Sequence, residues 1–276
     1  MVLKPEHGKL SDWKALALHY GTAERPLSDL QLELPDIHDR VGRIEYFVWL
    51  LRHQGRLILV DTGFSAEEGR ARGRTMLIHP VDALARLGIG TSDITDVVIT
   101  HLHYDHAGNL GDFPNARFHI QDREMAYGTG RCMCHRHMRK PFAAEAVVDA
   151  VRLVFKDQMC FHDGDAELSP GLSLHLIGGH SKGLQVVRLV ADGKTVVIAS
   201  DALHFEHYLD DQNAFPLYAD YLEVVEGYRK LRELAGPNGV LIAGHDPKVL
   251  SDFQPLNPEQ PFSRVLLQLT TLKCTA

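Results

Sequence analysis

Short apolar runs rich in β-branched residues recur along the chain, each closed by turn residues. Tyr46–His53 (YFVWLLRH) and Arg56–Asp61 (RLILVD) flank Gln54-Gly55 and predict a hairpin. Asp96–Thr100 (DVVIT), Leu172–Ile177 (LSLHLI), Gln185–Val190 (QVVRLV), Thr195–Ser200 (TVVIAS) and Val240–Ala243 (VLIA) predict further strands. Helical periodicity is present over Val81–Leu87, Ala143–Phe155 and Tyr221–Leu234. Strands outnumber helices, and the helices fall between groups of strands. That pattern predicts sheets packed together with helices covering the outside. No repeat, low-complexity tract or linker interrupts it, so one domain over residues 1–276 is the simplest organisation.

Polar residues with chemical reach fall where these strands end. Asp61 ends one strand, His101 follows a second and His180 a third, Asp201 ends a fourth, and His245 follows a fifth after Gly244. Side chains placed there are held rigidly by a sheet yet face an open edge.

Composition narrows the function. The 276 residues are 45% hydrophobic and 24% charged, as in ordinary soluble globular proteins. A formal charge of −7 and the lack of a basic run argue against nucleic acid as partner. No apolar stretch approaches the roughly 20 residues that span a bilayer, so no membrane role is expected. MVLKPEHGKLSDWK at the N-terminus has no apolar core of a secretory signal, and a cytoplasmic location is expected. Cys132, Cys134, Cys160 and Cys274 show no disulfide framework, and reduced thiols are expected. Histidine is the unusual residue, at 17, with several packed into short stretches. A surplus of imidazole points to metal or proton chemistry.

Thr100-His101-Leu102-His103-Tyr104-Asp105-His106-Ala107-Gly108 is the densest stretch, with three imidazoles and a carboxylate over six residues. These are the nitrogen and oxygen ligands that zinc prefers. His101 and His103 are two apart, so in extended backbone they project to one side and can grip one ion. Asp105 and His106 follow where the chain turns and can point to a second. A pair of ions needs more ligands than one loop offers, preferably with a bridging carboxylate. His180 in Gly178-Gly179-His180-Ser181-Lys182-Gly183, Asp201 after an apolar strand and His245 in Ala243-Gly244-His245-Asp246 are partners of the right type. A histidine-rich surface loop is the alternative, but it would not explain the distant partners.

Together THxHxDHxG, GGHSxG, an Asp after an apolar strand, a late GH and the upstream Asp61-Thr62-Gly63 resemble the metallo-β-lactamase superfamily, from about Tyr46 to His245. The resemblance implies an α/β fold of the αββα sandwich type, two mixed β-sheets flanked by helices, with the site at one edge of the sheets. It implies that His101, His103 and His180 hold one ion, that Asp105, His106 and His245 hold the second, and that Asp201 bridges them. Asp61 would orient a ligand. Two divalent ions are expected, zinc first, with iron or manganese as alternatives. The absence of the Glu that flavodiiron members carry where His103 stands disfavours redox iron. Zinc β-lactamases of the best-known type have a Cys near the position of Asp201 and are secreted, and RNase Z fits poorly with the acidic charge.

Within the superfamily the chain looks most like the N-acyl homoserine lactonase group, associated with quorum quenching. The expected reaction is opening of a lactone or similar cyclic ester in a small-molecule substrate by a metal-bridging hydroxide, with Asp105 as proton acceptor. No G-x-S-x-G elbow suggests a serine nucleophile. These lactonases commonly have a Tyr three residues after the bridging Asp, where this chain has His204. His204 is the second candidate catalytic residue, as hydrogen-bond donor or general acid, with Tyr208 as an alternative. That change puts acyl-homoserine lactone itself in doubt as substrate. A glyoxalase II-like thioester hydrolase, a cyclic amide hydrolase and a mononuclear-iron persulfide dioxygenase are the competing readings. The tail of 31 residues after His245 is short for the helical region that glyoxalase II usually adds. The resemblance also implies a homodimer, using residues before Tyr46.

Cys132-Met133-Cys134-His135-Arg136-His137 offers possible ligands, but the spacing is not that of a zinc finger, and a loop beside the active site is the favoured reading. Arg131, Arg136, Arg139 and Lys140 would then attract a substrate carboxylate, with Met133, Met138 and Phe142 as an apolar wall. Trp13, Trp49, Phe64 and Phe205 are candidates for further walls, and His207 for a loop histidine bonded to backbone.

Overall fold

Gln54 and Gly55 take φ angles of 45° and 82°, as a two-residue turn between right-twisted strands requires, and the expected hairpin forms. The computed structural model describes residues 13–33, 40–191 and 193–266. Cys274 and the chain before residue 13 lie outside the described residues. In chain order the strands are β1 (Lys14–Pro26), β2 (Val41–His53), β3 (Arg56–Val60), β4 (Thr75–Met76), β5 (Asp96–Val98), β6 (Arg117–Gln121), β7 (Met159–His162), β8 (Ala166–Ser169), β9 (Leu172–Leu176), β10 (Gln185–Ala191), β11 (Lys194–Ile198), β12 (Val240–Ile242) and β13 (Ser263–Val265). The helices are α1 (Ala66–Ala71), α2 (Pro80–Arg86), α3 (Asp122–Thr129), α4 (Arg136–Arg139), α5 (Ala144–Phe155), α6 (Tyr208–Asp211), α7 (Tyr221–Ala235) and α8 (Lys248–Asp252).

The first sheet runs β13-β1-β2-β3-β5-β6-β7, with β4 paired to β1; the second runs β12-β11-β10-β9-β8. β3, β5, β6 and β7 are parallel neighbours, as are β11 and β12, whereas β1–β2, β2–β3 and β9–β10–β11 are antiparallel. Both sheets are therefore mixed. Phe47, Trp49 and Leu51 of β2 pack between the sheets against Ile58, Val60, Leu174, Val187, Leu189 and Ile198. Tyr46, Val48 and Leu50 of the same strand join the outer cluster with Leu84 of α2 and Leu153 of α5. A strand covered on both faces reads as an unbroken apolar run, which is the form of YFVWLLR.

Every strand and helix expected from periodicity is present, with ends shifted by a residue or two, except that β2 begins at Val41, five residues before the expected Tyr46. The long strand β1 was not expected. Its Ala15 and Ala17 are poor strand formers, yet they stand opposite Leu51 and Trp49 in the register. Small side chains there leave room for large ones in the layer between the sheets.

Candidate functional site

The carboxyl ends of β3 and β5 in the first sheet meet those of β11 and β12 in the second. Asp61 and Ser200, just past β3 and β11, adopt left-handed φ angles of 63° and 46°, which cost non-glycine residues of order 1 kcal/mol. Hydrogen bonds hold both there. Asp61 accepts from the Thr100 backbone N–H and hydroxyl, each at 2.8 Å, and Thr100 Oγ1 lies 2.9 Å from Ser200 Oγ. One buried threonine thus ties the ends of the two sheets together.

Two loops project from this junction. Glu124, fully buried at the start of α3, accepts from Leu102 N at 2.9 Å, Gly183 N at 2.8 Å and Ser181 Oγ at 2.7 Å. It locks the loop bearing His101 and His103 to the loop bearing His180. Burial pushes its pKa up, and those donors oppose the shift. Gly183 is required for this approach, because a Cβ there would lie 2.1 Å from Glu124 N. Gly179, at φ 82°, would place a Cβ 2.6 Å from Val224 N at the start of α7. The glycines flanking His180 therefore set the distance between loop and helix.

The expected ligands converge into adjoining groups. Nε2 of His101 and of His180 lie 2.9 and 3.0 Å from Nδ1 of His103, and Asp201 Oδ2 is 3.2 Å from His180 Nε2. On the other side, Asp201 Oδ1 lies 2.9 Å from His245 Nε2 and 3.0 Å from His106 Nε2, with Asp105 Oδ1 3.8 Å from the latter. His101, His103, His180 and Asp201 form one group able to hold a metal ion, and Asp105, His106 and His245 another. Tautomers are fixed from behind. Nδ1 of His180 donates to Leu217 O at 2.8 Å, Nδ1 of His245 to Glu45 O at 2.7 Å, and Nδ1 of His106 to Asp61 at 2.8 Å. Each leaves an Nε2 lone pair aimed into the site.

The electrostatics suit divalent cations. Burial and neighbouring imidazoles hold His101 and His103 well below the ordinary histidine pKa, so they are neutral. Burial would raise the Asp201 pKa, but His106, His245, His204 and His101 hold it well below the ordinary value, so it is ionised. Burial opposes charge on His106 and His245 too, yet the surrounding carboxylates, Asp201 foremost, raise both. Asp61, Asp105 and Asp201 are all buried, and none pairs with a lysine or arginine among the described residues. Such a surplus of negative charge calls for cations. His106 Nε2, buried, makes no hydrogen bond. Nitrogen ligands about 2.0–2.1 Å from one tetrahedral zinc stand roughly 3.3 Å apart, close to the separations here, and the residues fit the group.

His204 is drawn into this cluster. Its Nε2 is 3.0 Å from Asp201 Oδ2, its ring stacks on Phe215 at 4.1 Å, and it forms a further possible ligand group with Asp201 and His245. Burial holds its pKa down to about 3, so it is a neutral imidazole and a poor general acid. Tyr208 does not take its place: its hydroxyl donates to Leu30 O, and Tyr208 does not line the cavity. His207 bonds the Gln31 side chain, not backbone, at 3.2 Å.

A cavity of about 470 Å³ opens above Asp105, His180, Asp201, His204 and His245. The expected aromatic walls are not its walls. Trp13, Trp49, Phe64 and Phe205 are core residues, and Tyr46, Tyr104, Phe215, Ile44 and Leu217 line the cavity instead. The Cys132–Lys140 segment does border it, through His137 and Lys140, and its cysteines join no metal-ligand group among the described residues. Phe142 stands behind His103 at 4.8 Å. The cations at the mouth are otherwise Arg25, Arg72 and Arg74, not Arg131, Arg136 and Arg139. Alternate arginines in Arg70-Ala71-Arg72-Gly73-Arg74 were a sequence signal for them; Glu124 left none.

Residues 41–245 match the model of the metallo-beta-lactamase superfamily, and the chain belongs to that superfamily. N-acyl homoserine lactonase AttM of Azorhizobium caulinodans is 31% identical over 182 residues, 61% of this chain but only 64% of that protein. AttM of Rhizobium radiobacter is 25% identical over 269 residues, 89% of this chain and 97% of that one. The solved structure of a quorum-quenching N-acyl homoserine lactone lactonase superposes with a TM-score of 0.75 at 22% identity, over 89% of this chain and 97% of that chain. That likeness establishes the shared sandwich fold.

Proposed function

We propose that the chain is a dinuclear-metal hydrolase that opens a lactone or similar cyclic ester. The observation that carries this reading is Asp201, whose two carboxylate oxygens face two separate groups of ligands. His101, His103 and His180 would hold one divalent ion and Asp105, His106 and His245 the other, with Asp201 between them. Zinc is the first choice and iron or manganese the alternatives. Bound there, the ions would supply hydroxide at neutral pH and polarise the ester carbonyl.

The chain's own residues do the rest. Asp105, at the cavity floor, receives the proton released on attack and delivers it to the leaving alkoxide, so the ring C–O bond breaks to give a carboxylate and a hydroxyl. Neutral His204 positions Asp201 through its single Nε2–H. Asp61 and the Leu217 and Glu45 carbonyls keep the imidazoles in the required tautomers. The names of the two AttM relatives favour a lactone over a thioester or a cyclic amide.

Proton release in weak buffer tests the reading, using zinc-loaded chain of measured metal content against lactones, a glutathione thioester and cyclic amides. The expected result is acid release from a lactone class, abolished by chelator and restored by zinc. Silence on every lactone with two ions bound would overturn the lactone assignment, and failure to retain metal would overturn the metal assignment.

A further inference from the structure

One wall of the cavity, which meets the histidines where Tyr46 packs on His245 at 5.2 Å, is built for a negative charge. Arg72 is already neutralised, by Glu68 at 2.7 Å, and donates to Lys140 O and Phe142 O. Arg74 is not. It donates to the Tyr104 hydroxyl at 3.0 Å and to Arg72 O at 3.2 Å, and pairs with no carboxylate among the described residues. Arg25 donates to the same Arg72 carbonyl. These guanidinium groups are half-buried and their positions are fixed. Arg72 lies 4.2 Å over the Tyr104 ring and Arg74 5.9 Å from the centre of the Tyr46 ring.

A second observation is independent of charge. Tyr46 lines the cavity and is 1% exposed, yet its hydroxyl has no well-formed hydrogen bond and only the Tyr104 hydroxyl beside it. A buried hydroxyl so poorly satisfied is costly and persists where a ligand completes it. Beside it the Tyr104 hydroxyl accepts from Arg74 and keeps its own proton to give. Asp29 also lines the mouth but makes no ion pair with these arginines among the described residues.

We propose that this wall is a carboxylate subsite, with Arg74, Arg25 and the Tyr46 and Tyr104 hydroxyls receiving an anionic group on the substrate that is separate from the cleaved ester. The substrate class is then a lactone bearing a free carboxylate on a side arm, not a lactone with a neutral alkyl chain. This rests on the lactone-hydrolase reading for the bond that breaks, but the subsite itself is defined by the arginine and tyrosine donors.

The test pairs γ-lactones carrying a terminal carboxylate on arms of graded length with the corresponding carboxamides. It adds calorimetric titration of the zinc-loaded chain with dicarboxylates from glutarate to suberate and with their monoamides. The wild type should favour the best carboxylate over its amide by about 30-fold in kcat/KM. That ratio should fall at least about tenfold in Arg74→Gln, and also in Tyr46→Phe, which removes one hydroxyl and keeps the ring. Dicarboxylate affinity should fall in the same variants, and rising salt should erode the preference. Lactone hydrolysis with a ratio near unity would overturn the subsite and leave the hydrolase reading intact. If no lactone is opened, the titrations still decide: equal affinity for dicarboxylate and monoamide would refute the subsite, whereas selective binding lost in both variants would establish it.

Discussion

Asp201 carries a single negative charge between imidazoles from four different loops. Replacing it by Asn keeps the shape and removes the charge, so Asp201→Asn should retain less than one ion per chain and lose at least about 100-fold in kcat/KM. Emission spectrometry beside steady-state kinetics checks this, and two ions with full turnover would sink the assignment. His204 lies one step further from the ions in the proposed arrangement. His204→Ala should lower turnover about tenfold while both ions stay bound. Unchanged turnover on every accepted substrate would make it a bystander. The seven residues that converge here were legible because metal chemistry restricts residue types so tightly. Glu124, Thr100 and Ser200 were not, because a buried glutamate or hydroxyl has no signature until its partners are known.

At the scale of elements, the site depends on loops held at fixed distances by backbone. Gly183→Ala should lower stability by about 2–4 kcal/mol, since its Cβ would meet the backbone of α3 at 2.1 Å. It should also weaken metal retention, because the displaced loop carries His180. Thermal unfolding with and without added zinc measures both effects, and a wild-type melting curve would contradict the tight contact. Strands were read well where both faces are apolar, as in β2, and poorly where small or polar residues alternate, as in β1. Pairing of β4 with β1 brings Arg74 against Tyr46 and Tyr104, a contact that periodicity along Arg70–Arg74 does not encode.

For the whole molecule, the far end of the first sheet offers a handle on stability separate from the site. Asp96, buried at the start of β5, accepts from Arg56 at 3.0 Å, from Arg117 at 3.2 Å and from Thr95 at 2.7 Å, and lies 3.0 Å from His119 Nε2. Burial would raise its pKa, but these donors hold it well below the ordinary 3.8. The folded state therefore binds the proton less readily than the unfolded one. The stabilisation is fully present above the ordinary carboxylate pKa and is lost as pH falls below it. Asp96→Asn should cost about 2–3 kcal/mol near neutrality, and the gap to wild type should narrow as pH drops from about 4 toward 2. Denaturant midpoints across that range test the sign; a gap that widens in acid would reverse it.

By itself the sequence determined which residues converge on the centre and the class of fold, because residue types able to ligate a metal are few and constrained in spacing, and buried strands come from continuous apolar runs. It did not determine which residues surround the centre. Arg25, the Arg72–Arg74 pair, Tyr46 and Phe215 come from four separate segments of the chain, with no pattern to link one segment to another. Only the packing of β1, β2 and the loops after β3 and β11 brings them to one cavity, since side-chain neighbours across a sandwich are set by register and layer contact and not by distance along the chain.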